Sequence, residues 1–332
     1  MPKLTARARI TDVAAAAGVS LATVSRVMNG NPTVDPVLAD RVRAVALELG
    51  YTANPLARSL VLGRTQTVAV VIPDLANPTF QAILRGLSRA ADADGFHVLI
   101  ADTAERADVE SDRATTTRRR TDGVILCAPR MPQGELAALL HTLSPVVVVN
   151  RPPQQGAPTV AADYRAAMSE LVTHLVAAGH RRIAFLSGVV GSASGAARRA
   201  ALDDARAAHP DLEIVEIAAG VDFDSGAAAS GAVLDAGVTA VLAFNDLVAM
   251  GLLSAVTARG VRVPEDLSIA GFDDIPFAPY TSPPLTTAAV PAEELGRRAW
   301  AAMSALLAGD AEVADVTLTP ELVVRGSTGP VA

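Results

Sequence analysis

The twenty residues TDVAAAAGVSLATVSRVMNG, residues 11–30, decide how this chain is read. They predict two short helices joined by a turn. A hydroxyl at Thr11 suits the first N-cap, where a side-chain oxygen takes an orphan backbone N–H. Val13, Ala14 and Ala17 then share one face, and Gly18 supplies the left-handed residue that ends the helix. Ser20 suits the second cap, with Val24, Val27 and Met28 turned inward. Leu21, Ala22, Ser25, Arg26 and Asn29 are left on the outer face. Small and hydrogen-bonding side chains with one arginine are what a helix in a DNA major groove presents. An ordinary αα-hairpin has the same pattern, so the rest of the chain must decide between the two.

Residues 36–49 predict a third amphipathic helix, with Val37, Val42, Val45, Ala46 and Leu49 inward and Gly50 as its stop. YTANPLARSL follows at 51–60. This order resembles the lac repressor (LacI/GalR) family of transcription regulators. The resemblance continues through VVIPDLANPTF, TDGVIL, VVVVNRP, GHRRIAFLSG, AFNDLVAMG, VPEDLSIAGFDDIPFAPYTSPPLTT and ELVVRGST, so it covers nearly the whole chain. It implies an all-α helix-turn-helix head over residues 1–50 and a hinge helix with linker over 51–66. An α/β core of two doubly wound lobes, like those of periplasmic binding proteins, would occupy 67–332. One lobe would hold about 67–161 and 290–319, the other about 162–289 and 320–328.

The residue pattern of the core agrees. Apolar runs at 67–72, 97–101, 123–127, 146–149, 182–186, 214–217, 240–244 and 268–271 read as strands, and 321–325 as another. They alternate with predicted helices at 79–93, 108–119, 164–178, 196–209, 225–236 and 246–259. Apolar strands separated by helices indicate parallel sheets covered on both faces. In such sheets ligands bind beyond the carboxyl ends of the strands. There the chain places Pro73-Asp74 with Asn77, Asn150-Arg151, Ser187-Gly188, Asn245-Asp246 and Phe272-Asp273-Asp274, a set suited to a polyhydroxylated ligand.

Composition supports a divided molecule. Residues 1–64 carry eight basic and four acidic side chains, a balance of +4, which leaves −11 for the remainder of a chain with net charge −7. A basic head on an acidic body suits a protein whose head alone meets phosphate. Cys127 is the only one of 332 residues that is a cysteine, in an apolar strand, which fits a reducing cytoplasm and a buried small hydrophobe. The N-terminal segment lacks the apolar core of a secretory signal, and no apolar run reaches the length of a membrane span.

Residue by residue, the resemblance makes 20–29 the recognition helix. Arg26 would read a guanine edge, Leu21 and Ala22 would discriminate operators, and Thr11, Ser20, Thr23, Ser25 and Asn29 would complete the DNA contacts. Asn54, Ala57, Arg58 and Leu60 belong to a hinge segment too short to be a stable helix alone. Leu60 either wedges into a central base step or anchors the linker to the core. In the cleft, the resemblance assigns effector contacts to Asp74, Asn77, Phe80, Asn150, Arg198, Phe223, Asn245 and Asp273. Asp246 and Asp274 have a second reading as structural caps. Around Phe223 the spacing is one residue short of the family pattern, and after Arg198 the chain reads RAAL where the family has a glycine–aromatic pair.

The expected function is a cytoplasmic, homodimeric repressor that binds a palindromic operator and answers to a small carbohydrate-like effector, a purine being the alternative. No leucine heptad for tetramer formation follows the last strand. LSGVVGSASG matches neither GxGxxG nor GxxxxGK[ST], and the five histidines have no metal-ligand spacing. Neither an enzyme nor a cofactor nor a metal is expected. A solute-binding protein with the same core would lack the basic head.

Overall fold

The structure, a computed structural model, describes residues 8–28, 33–51, 63–310 and 312–331. It divides into two units, Met1–Gln66 and Thr67–Ala332. The first contains α1 (Ile10–Ala17), α2 (Leu21–Met28) and α3 (Pro36–Glu48). Val13, Ala14, Ala17, Val24, Val27, Ala39, Val42 and Ala46 are buried together as its core.

Two expectations for this unit are corrected. Thr11 does not cap α1. The helix begins two residues earlier than that cap implies, at Ile10 with Arg9 as N-cap, and the Asp12 carboxylate accepts the Arg9 N–H at 2.8 Å. Val37 and Leu49 do not face the core; they are 78% and 40% exposed. Asp35 caps α3 by accepting the Leu38 N–H at 3.0 Å, with Pro36 in the first turn. That start puts Ala39, Val42 and Ala46 on the inward stripe and carries Val37 round to the opposite side.

The second unit is built on two six-stranded sheets. The first contains β1 (Thr67–Ile72), β2 (His97–Asp102), β3 (Gly123–Cys127), β4 (Val146–Val149), β5 (Thr159–Ala162) and β11 (Val316–Leu318), in the order β11-β5-β4-β3-β1-β2. The second contains β6 (Arg182–Ser187), β7 (Glu213–Ala218), β8 (Ala240–Ala243), β9 (Ser268–Asp273), β10 (Thr286–Ala289) and β12 (Glu321–Val323), in the order β12-β10-β9-β8-β6-β7. Each is parallel except for the antiparallel β10–β12 pair. The chain passes between sheets after Ala162, after Ala289 and between Leu318 and Glu321.

Helices α4 (Pro78–Ala93), α5 (Ala107–Arg118), α6 (Gln133–Leu143) and α12 (Ala292–Ala308) cover the first sheet. The second is covered by α7 (Tyr164–Ala177), α8 (Ala193–Ala208), α9 (Phe223–Ala228), α10 (Ser230–Asp235) and α11 (Asp246–Thr257). In each lobe one helix pair packs backbone to backbone. A Cβ on Gly86 would lie 2.0 Å from the Glu293 carbonyl oxygen, and one on Gly296 2.0 Å from that of Ile83. Gly226 and Gly251 play the same part between α9 and α11.

Three strands, β5, β10 and β11, were not expected from sequence. They are three or four residues long and each contains threonine, too short for a hydrophobic period to declare itself. The expected helix over 225–236 is interrupted at Ala229 into α9 and α10. Nor is every strand covered on both faces. β2 lies at a sheet edge, with Leu99 and Ile100 exposed. Cys127 is buried, and desolvation pushes its thiol up to about 12, so it is an inert core residue. Trp300 is likewise buried, its indole N–H donating to Asp94 Oδ2 at 2.7 Å.

Candidate functional site

In the head, the chain bends by 105° between α1 and α2, within the range of helix-turn-helix units. Ser20 caps α2: its Oγ accepts the Thr23 N–H at 3.1 Å and lies 2.9 Å from the Thr23 hydroxyl. With Val24 and Val27 in the core, Leu21 (48% exposed), Ala22 and Arg26 face outward. Thr11 sits in the first turn of α1, its hydroxyl 3.4 Å from Asp12 Oδ1. Asn29, Asn54, Ala57, Arg58 and Leu60 lie outside the described residues.

The second site is a cavity between the two lobes, at the carboxyl ends of both sheets. Its free space is about 30 Å³, room for little more than one water. Asn77 caps α4, its Oδ1 accepting the Thr79 N–H at 2.9 Å, and this turns Thr79 and Phe80 to the cavity wall. Asn150 follows β4 with left-handed φ of 55° and accepts the Ala162 N–H at 3.1 Å. From the second lobe, Asn245 caps α11, with Oδ1 2.9 Å from the Val248 N–H, and donates from Nδ2 to the Val221 carbonyl at 2.8 Å.

Arg198, on α8, is the unusual member of this wall. It is 2% exposed, and its Nε and Nη1 have no hydrogen-bond partner. Its guanidinium stands 3.9 Å from the ring centre of Phe272, 4.6 Å from that of Phe244 and 4.7 Å from that of Tyr164. Ring quadrupoles hold a desolvated cation but leave its N–H groups unanswered. Burial lowers its pKa, opposed by the nearby Asp273 charge.

Asp273 lies at the end of β9 with φ of 109°, followed by Asp274 at 57°. Burial pushes its carboxyl up to about 6, against the opposing pull of Arg198 and of Thr79. Buried Asp246 holds the loop behind it. Oδ2 accepts the Ile275 N–H at 2.8 Å and Oδ1 the Thr287 hydroxyl at 2.7 Å. Its own carboxyl is driven well above the ordinary range, first by burial and then by the Asp273 charge. Gly271 leaves room for it, since a Cβ there would sit 2.1 Å from Asp246 Oδ1. Asp274 accepts Arg325 Nη2 at 2.7 Å. Asp246 is thus a brace for the Asp273 loop, and the cap of α11 is Asn245.

Both parts of the chain have counterparts among known proteins. The bacterial regulatory proteins of the lacI family match residues 9–54, and the periplasmic binding protein-like domain matches residues 172–328. The transcriptional repressor CytR of Escherichia coli K12 is 34% identical over 97% of this chain and 96% of its own length. The chain belongs to the lac repressor family. The regulator DegA of Bacillus subtilis 168 is 33% identical over 97% of this chain and 98% of its own. Among solved structures, a lac repressor dimer bound to operator and the anti-inducer ONPF superposes with a TM-score of 0.87 at 27% identity, covering 98% of this chain and 100% of that one. A CelR–cellobiose complex gives a TM-score of 0.71 at 30% identity, over 97% of this chain and 100% of that one.

This lac repressor family member is a DNA-binding transcriptional regulator with a helix-turn-helix head and a two-lobed core. Of the cleft residues read from its sequence, the fold gathers Asn77, Phe80, Asn150, Arg198, Asn245 and Asp273 round one cavity. Two stand elsewhere. Asp74 closes a local turn, accepting the Ala76 N–H at 2.8 Å. Phe223 is the first residue of α9, which the Asp222–Ser225 capping box starts, and is 45% exposed; Val221 and Phe244 are the apolar residues in the cavity wall beside it. Sequence reasoning missed Thr79, Glu105, Arg130, Tyr164 and Ser194. Glu105 and Arg130 follow β2 and β3, so the strand-end rule extended to those strands finds them. Thr79, Tyr164 and Ser194 lie in the first turns of α4, α7 and α8. His180 is buried between Thr239 Oγ1 at 2.9 Å and the Gly329 carbonyl at 3.0 Å, where burial lowers its pKa.

Proposed function

We propose that this chain is a cytoplasmic, homodimeric repressor that binds a palindromic operator through α2 and is released or tightened by a polyhydroxylated effector in the interlobe cavity. The observation that carries this reading is Arg198. A buried guanidinium with two unanswered nitrogens, sharing one cavity wall with a carboxylate of the same lobe, is arranged for a ligand that supplies acceptors to one and hydroxyl donors to the other. A relative is named as a complex with cellobiose and another as bound to ribose, which supports a sugar. So does the placing of the aromatic rings. Tyr164, Phe244 and Phe272 already stack round Arg198, which leaves Phe80 as the platform a flat base could use.

With about 30 Å³ free, a sugar has to part the lobes to enter, and this couples occupancy to lobe spacing. An effector shifts operator affinity only by its differential affinity for the two arrangements, commonly about 1–3 kcal/mol, or about 5- to 150-fold. On the DNA side, Arg26 and Asn29 carry base specificity, Leu21 and Ala22 tune operator choice, Ser20, Thr23 and Ser25 set register on phosphate, and Thr11 is a further DNA contact. Asn54, Ala57, Arg58 and Leu60 form the hinge. The role is regulatory, without catalysis. Among the described residues no cluster could hold a metal ion, and no single helix is long and apolar enough to cross a membrane. Selecting duplexes from a random pool, then titrating the selected operator with and without sugars, tests the reading. A palindromic operator whose affinity changes on sugar addition is the expected result; sugar binding with unchanged operator affinity overturns the coupling.

A further inference from the structure

The cavity wall contains an ion pair that stability does not explain. Arg130 donates from Nε to Glu105 Oε2 at 2.6 Å and from Nη2 to Oε1 at 2.8 Å, both side chains being largely withdrawn from solvent. Desolvation offsets most of the attraction in such a pair, and apolar residues of equal volume commonly serve as well. The backbone that presents it is unfavourable too. Ala104 and Glu105 both have left-handed φ, 50° and 57°, although each carries a Cβ. The Glu105 N–H is tied to the Pro73 carbonyl at 2.6 Å. On the other loop, buried Glu110 accepts the Arg130 and Met131 N–H groups at 2.8 and 2.7 Å. Two loops are pinned so that one ion pair faces the cavity.

The pair still has bonding capacity. A carboxylate offers about four lone-pair positions and the fork of Arg130 takes two. Nη1 and the second Nη2 hydrogen of Arg130 complete a surface on which adjacent hydroxyls can both donate and accept. The charges of the wall also cancel. Arg130 and Arg198 are matched by Glu105 and Asp273, so a phosphorylated ligand would bring its charge against two carboxylates while Arg130 is already held.

Building on the effector cleft proposed above, we infer that the Glu105–Arg130 pair is its specificity element, reading adjacent hydroxyls of an uncharged polyhydroxy ligand and selecting against the phosphorylated form.

The test is calorimetric titration of the full-length protein with ribose, glucose, cellobiose and adenosine, each beside its monophosphate where one exists. One of the uncharged compounds should bind, with its phosphate at least about 100-fold weaker, since like charges in a dry site are strongly opposed. Glu105→Gln should weaken the neutral ligand about 10- to 100-fold, the range expected for hydrogen bonds to a charged group. The deoxy analogue that loses most against the wild type should lose nothing further against E105Q, which a merely structural role for Glu105 would not produce. Arg130→Lys, which keeps the charge and removes the fork, should give the same pattern if E105Q does not fold. Tighter binding of the phosphate, or unchanged affinity in both variants, overturns the inference and leaves the cleft reading standing. Binding by none of the compounds removes the polyol reading itself, and this inference with it.

Discussion

Thr79 and Asp273 meet across the lobes: the threonine hydroxyl of the first lobe donates to Asp273 Oδ2 of the second at 2.8 Å. They are 194 residues apart in the chain. This bond joins the capped start of α4 to the braced loop after β9, so it reports directly on lobe spacing.

Replacing Thr79 by valine keeps the shape and removes the donor. A hydrogen bond to a charged group contributes about 1.5–3 kcal/mol. Because a sugar must part the lobes and break this bond to enter, the variant should bind effector about 10-fold or more tightly than the wild type. A valine variant with wild-type effector affinity would show that the bond does not report on closure.

The pH dependence has a definite sign. The Asp273 carboxyl is raised to about 6 in the folded state, against roughly 3.9 when unfolded. Between about pH 4 and 6 the folded protein retains a proton that the unfolded chain has lost, so stability falls as pH rises through that window. Asp246 acts in the same direction. Melting temperatures over pH 4–7 should decline less steeply in Asp273→Asn than in the wild type, and parallel curves would exclude Asp273 as a source. Ligand hydroxyls donate to the ionised carboxylate, so effector affinity should rise with pH through about 6.

Gly296→Ala and Gly134→Ala should have opposite effects. A methyl at Gly296 meets the Ile83 carbonyl oxygen at 2.0 Å, and backbone cannot swing aside. Overpacking of this kind costs about 1–3 kcal/mol. Gly134, in the first turn of α6, has nothing within 4 Å, and alanine should stabilise there by about 0.5–1 kcal/mol. Chemical denaturation of both variants checks the pair; a stabilised Gly296→Ala would mean that α4 and α12 separate readily.

Arg26→Ala should weaken the selected operator by about 1–3 kcal/mol and random duplex far less, as befits a bidentate base contact. Equal losses on both duplexes, measured by mobility shift at fixed salt, would reassign Arg26 to phosphate.

The sequence by itself determined the three helices of the head, nine of the twelve strands and six of the residues round the cavity. Those features follow from local rules: capping at Ser20, period-3.6 stripes in α1 and α2, buried apolar runs such as Val146–Val149, and polar residues at strand ends. Tertiary structure decided the rest. Glu105 and Arg130 are 25 residues apart, and Thr79 and Asp273 much further, so only the folded sheets bring them into contact. The same is true of Arg198, whose missing partners are apparent only once three aromatic rings have enclosed it. Periodicity and capping act over a few residues, whereas burial, pairing and pKa depend on neighbours that the chain supplies from a distance.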